Sequence, residues 1–108
     1  MLDNLERLTG GDKERMELYL STFKEGIGEY IKLLKVAIAD KNIENISYTI
    51  HVSKPLFTLV GLKNLYNKAC DIENSIDSNK DLSEITEKAS SLLSKMEISL
   101  EDLIDPNT

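Results

Sequence analysis

The chain has no tryptophan, one cysteine, one histidine, two prolines and five glycines in 108 residues. Each shortage removes a class of explanation. A single thiol, Cys70, cannot close an internal disulfide, so a reducing compartment is expected. One histidine and one cysteine are too few for a zinc site, and there is no Glu-x-x-His pair of the kind that carries metals inside helical bundles. No bound metal and no cofactor are therefore expected. Few prolines and glycines mean few loops and long regular elements. No apolar run approaches the roughly 18 residues that a membrane span requires. No signal-peptide pattern is seen, so direct membrane insertion is not expected. A glycine-rich phosphate loop is also missing, which argues against nucleotide binding and autokinase activity. Positive charge is the scarcer sign: 13 Lys and Arg against 19 Asp and Glu give a formal net charge of −6. That balance disfavours a general nucleic-acid binder.

What is present is helical. Hydrophobic residues make up 41% and charged residues 30%, an ordinary globular composition that suits one domain over residues 1–108. Apolar residues recur in steps of three and four along Met16, Leu20, Phe23, Ile27, Ile31, Leu34 and Ile38, one face of a long helix. Asp12 is placed to cap it, and Gly26 and Gly28 are expected to weaken or bend its middle. A short helix over Asp3–Leu8 is expected to precede it. After the break at "ADKNIENI", Asn42 can cap a helix carrying Ile43, Ile46, Ile50 and Phe57. Gly61 can end that helix in a left-handed conformation. Leu62, Leu65, Ala69, Ile72 and Ile76 form the next stripe, in which Cys70 reads as a small core residue. After the turn "DSNKD", Asp81 and Glu84 have the spacing of a capping box. The last helix then carries Leu82, Ile85, Ala89, Leu92, Met96, Leu100 and Leu103, with Asp105-Pro106 as its stop. The expected fold is all-α: an antiparallel up-down four-helix bundle with a short extra N-terminal helix.

His51 falls about 120° from the centre of its helix's apolar stripe at the helical rotation per residue. It is expected on the exposed flank, with Ser47, Lys54 and Pro55 one turn away and Thr58 two turns on. From Asn45 through Cys70 there is no Asp or Glu, whereas Lys54, Lys63 and Lys68 fall inside this segment. The surface around His51 is therefore expected to be locally positive and to favour an anion or an acidic partner. Lys54 lies at i+3, on the same side of the helix as His51. Imidazole, with an unperturbed pKa of about 6.5, is largely neutral and nucleophilic at neutral pH. Phosphoryl transfer to such a ring needs in-line access and charge stabilisation more than an elaborate apparatus.

The segment "His51-Val-Ser-Lys54-Pro55…Gly61" resembles the histidine-containing phosphotransfer (HPt) domains of multi-step two-component phosphorelays, similar to those at the C-terminus of hybrid sensor kinases. The upstream "LTGGDKERMELYLSTF" is similar to that family's entry into its long second helix, so the likeness covers nearly the whole chain. One departure is Pro55, where many members carry a small residue. Proline removes the N–H that would bond the His51 carbonyl; it fits either a helix pinned by packing or a kink serving packing alone. The resemblance implies a phosphorelay intermediate. His51 would accept a phosphoryl group from the phospho-aspartate of a receiver (response-regulator) domain and pass it to another receiver. Lys54 would stabilise the phosphoryl charge, and Mg²⁺ would sit on the receiver. Pro55 and Gly61 would be structural at the site, and Ser47, Tyr48 and Thr58 would dock the partner. The chain would be a monomer in the cytoplasm, free-standing or as the cytoplasmic portion of a membrane-anchored hybrid kinase. Two alternatives stand beside this. One is a non-catalytic four-helix protein-interaction adaptor. The other is the dimerisation and phosphoacceptor part of a sensor histidine kinase, disfavoured by Val52 where that family has an acid after the histidine.

Overall fold

The computed structural model describes Arg7 and residues 9–104, with the backbone alone for Leu103 and Ile104. Among the described residues four helices follow one another: α1 Lys13–Ala39, α2 Ile43–Leu59, α3 Lys63–Asp77 and α4 Leu82–Ile104. They form an antiparallel up-down bundle, and among the described residues there is no strand. Apart from Arg7, the short helix expected over Asp3–Leu8 lies outside the described residues, as does Asp105-Pro106. No described helix is long and apolar enough to cross a membrane.

The helix ends explain why the connections are so short. Asp12 accepts a bond from the Arg15 N–H at 3.2 Å and Asn42 one from the Asn45 N–H at 3.1 Å, so both expected N-caps are made. Helices α1, α2 and α3 all end in the same way. Lys41, Gly61 and Asn79 adopt φ of 53°, 73° and 55°, and each helix then closes two crossed bonds. After α2, Leu62 N–H donates to the Phe57 carbonyl at 2.8 Å and Gly61 N–H to the Thr58 carbonyl at 3.2 Å. Asn42 and Lys41 repeat the pattern on Ala37 and Ile38, and Lys80 and Asn79 repeat it on Ser75 and Ile76. These are Schellman motifs, which satisfy the last carbonyls while reversing the chain. At the start of α4 the Asp81 carbonyl accepts from the Ile85 N–H at 3.0 Å. Glu84, expected to complete a capping box there, instead has its carboxylate 3.4 Å from Lys88 Nζ.

The apolar stripes meet in one core. Phe23, Ile27 and Leu34 of α1, Ile46, Ile50 and Phe57 of α2, and Leu92 and Met96 of α4 are fully buried, with Ala69 and Ile72 of α3 between them. The stripe ends Met16, Leu20, Ile38, Ile43, Ile76 and Leu100 are only partly covered. Thr49 and Ser53 also face the core of α2. Their hydroxyls donate back to the Asn45 and Thr49 carbonyls at 2.8 and 2.6 Å, so small polar side chains fill the interior without an unmet hydrogen bond. Gly26 does not end or split α1, which runs as one helix. A Cβ at Gly26 would stand 2.8 Å from Leu56 Cδ1, so this glycine lets α1 and α2 approach closely.

Candidate functional site

Helix α2 presents His51 to solvent. Its side chain is 73% exposed, as its place on the flank of the apolar stripe requires. Lys54, one turn on, is far less open: its side chain is 20% exposed. The cause lies on α3. Glu73 Oε1 is 2.6 Å from Lys54 Nζ, and Glu73 Oε2 is 3.2 Å from His51 Nδ1. The Tyr66 ring lies beneath the same ammonium, 5.4 Å from centroid to nitrogen, a favourable cation–π distance. One carboxylate therefore ties the histidine and the lysine together.

This corrects the expectation of a locally positive surface. The acid-free segment in sequence does not make an acid-free surface, because α3 runs back along α2 and lays Glu73 on the pair. His51 and Glu73 are equally spaced in sequence on either side of Leu62, and Lys54 mirrors Cys70. Tyr66 and Glu73 thus flank the lysine's level one turn above and below. That register, taken about the joint at Gly61 and Leu62, is the signal that finds Glu73; a tally of charges along the chain does not.

The electrostatics keep Glu73 and Lys54 charged. Burial pushes the Glu73 carboxyl up, but hydrogen bonds from Lys54 and His51, together with their charges, outweigh it and hold the group below its ordinary value. The Glu73 hydrogen bond raises Lys54 above its ordinary value, against the opposing effect of burial. Both shifts favour the ionised pair. An ionised carboxylate can only accept, so Nδ1 must be the donor in its contact with Glu73. The tautomer is assigned from this network. That assignment leaves Nε2 as the ring nitrogen on the side away from Glu73.

The other residues singled out divide into two groups. Ser47 and Tyr48 join His51 along a shallow groove that also includes Ile43, Glu44 and Ile76. Tyr48 is 63% exposed there. Thr58 is exposed farther along α2 and donates its hydroxyl to the Lys54 carbonyl at 3.2 Å. Pro55 is exposed within α2, which continues past it to Leu59. Gly61 lies in the joint, at the end of α2 rather than beside the ring. Cys70, expected in the core, is half-buried. Among the described residues no group of three or more His, Cys, Asp and Glu side chains is placed to hold a metal ion.

Comparison with known proteins finds no matching family model, no matching curated protein and no matching solved structure. The chemistry therefore rests on the site itself. It offers an exposed imidazole whose Nδ1 faces a carboxylate, a cation one turn away, and an apolar-edged groove that reaches the ring.

Proposed function

We propose that this chain is a phosphorelay intermediate of the histidine-containing phosphotransfer type. His51 takes a phosphoryl group from a receiver's phospho-aspartate and gives it to a second receiver. One observation carries the reading: an exposed imidazole in mid-helix, its Nδ1 engaged by Glu73 and its Nε2 without a partner among the described residues, beside Lys54. The rigid bundle fixes the ring, as an in-line displacement demands. The incoming phosphoryl group brings charge that Lys54 can meet by moving from Glu73 to the new oxygens. The groove along Ser47 and Tyr48 gives a receiver an apolar surface next to the nucleophile, and Thr58 extends that face along α2. The receiver supplies the Mg²⁺ and the remaining catalytic groups. The protein acts as a cytoplasmic monomer and does not phosphorylate itself from ATP.

The test is transfer from receivers carrying labelled phosphate. The wild-type chain is expected to acquire an acid-labile, base-stable label, and His51→Gln none, with unchanged helix content. Label on the variant would exclude His51 as the acceptor. Binding to receivers without any label on either protein would make the chain an adaptor instead.

A further inference from the structure

Lysine is a poor clamp unless something holds it, because its four-carbon stem has many rotamers of similar energy. Lys54 is held. Its side chain is largely covered, although His51 one turn before it and Pro55 directly after it are exposed. The cover comes from one face of α3, on which Tyr66, Cys70 and Glu73 follow at i, i+4 and i+7. Two of these act on the ammonium in different ways. Glu73 Oε1 holds it at 2.6 Å, a directed bond that has to break before the same N–H can meet phosphoryl oxygens. The Tyr66 ring lies 5.4 Å from Nζ. Its face attracts the cation without claiming a particular N–H, so the three donors stay able to turn.

We propose that Tyr66 is a positioning residue for phosphoryl transfer: its ring keeps the Lys54 ammonium beside His51 while the bonded partner changes from Glu73 to the phosphoryl oxygens. The inference rests on the phosphotransfer reading above and deepens it. Core packing does not account for an aromatic ring at this position. Tyr66 is 37% exposed, whereas Leu65 and Ala69 on the same helix are buried and supply the core. The face of the ring is turned instead to Lys54. That face sets how far the ammonium can retreat. Without it, release from Glu73 would let the stem swing into water, and the cation would have to be recovered from there before it could serve His51. With it, one end of the lysine's travel is fixed at the α3 wall, one turn along α2 from the acceptor ring.

Phosphoramidate serves as the phosphoryl donor, so the experiment needs no receiver. Nε2 forms the new N–P bond as the donor's N–P bond breaks, and the donor nitrogen leaves as ammonia with its own protons. Phosphohistidine formation is followed by phosphorus NMR in the wild-type protein, Tyr66→Phe and Tyr66→Leu. Phenylalanine keeps the π face, and leucine keeps only apolar bulk. Tyr66→Phe should match the wild type, and Tyr66→Leu should be slower by about two- to fivefold, the worth of a cation–π contact at a partly open site. In a Lys54→Met background the Tyr66→Leu change should leave the rate alone, which a merely structural role for the ring would not predict. In the unphosphorylated wild-type protein the Lys54 ε-methylene protons should lie upfield of ordinary lysine values under the ring current, and should return to them in Tyr66→Leu. Equal rates for the Phe and Leu variants, a slowing that survives in the Lys54→Met background, or ordinary methylene shifts in the wild type overturn the inference and leave the phosphotransfer reading standing. If no phosphohistidine forms even in the wild type, that reading falls and this inference with it.

Discussion

Glu73 is the residue that a reader of the sequence would pass over, and the site depends on it. His51 and Lys54 are legible because they share one helix, where i and i+3 are neighbours by geometry alone. Glu73 reaches them across a helix pair, and its position depends on where the intervening joint turns. The ion pair it makes also sets a pH window for stability. The folded pKa of Glu73 lies below its ordinary 4.5, so its contribution is complete above that value and is lost as pH falls through the folded one. The folded pKa of Lys54 lies above its ordinary 10.5, so its contribution is complete below that value and is lost as pH rises through the folded one. Between those limits the contribution is flat. Replacing Lys54 by Met keeps much of the stem's packing and removes the charge. It should cost about 1–2 kcal/mol at neutral pH, the lower part of the range for a charged hydrogen bond because the pair is partly open to water. Urea unfolding of both proteins should show that gap closing in acid; a gap that persists there would assign it to packing instead.

At the scale of the element, α2 carries both His51 and a fault. Pro55 stands four residues after His51, so the His51 carbonyl lacks its helical donor. The helix nevertheless runs on to Leu59. Phe57 is fully buried beyond the proline, and Leu56 packs beside Gly26 of α1. Proline is about 3 kcal/mol worse than alanine inside a helix, and it returns about 1 kcal/mol by restricting the unfolded chain. Pro55→Ala should therefore stabilise the protein by about 2 kcal/mol, and a calorimetric melt should show Tm rising by roughly 8–16 °C. An unchanged Tm would mean that the helix has already absorbed the lost bond. Caps and stripes were legible here because each depends on residues within a turn or two. Gly26 was not: a glycine inside a stripe suggests a bend until the facing Leu56 is known. Glu84 was not either, since Lys88 offered its carboxylate a partner on the exposed face.

For the whole molecule, fold class followed from four amphipathic stripes and connections too short to allow anything but antiparallel neighbours. Leu18, Leu33, Val36 and Ile98 are exposed, but Glu17, Lys32, Lys35 and Glu97 are interspersed with them in the sequence, and Lys35 and Glu97 pair across the α1–α4 seam at 3.1 Å. Sedimentation at micromolar concentration should give the mass of one 12.2 kDa chain, and a stable dimer would favour the kinase dimerisation alternative. The four helices also pack in a closed ring, α1 on α2, α2 on α3, α3 on α4 and α4 back on α1. In an up-down bundle the start of α1 and the end of α4 share one end. No helix pair depends on which corner of the ring is left unlinked. A circular permutant opened at Asn79 and sealed from α4 to α1 would keep every helix neighbour, with His51, Lys54 and Glu73 still on one continuous stretch of chain.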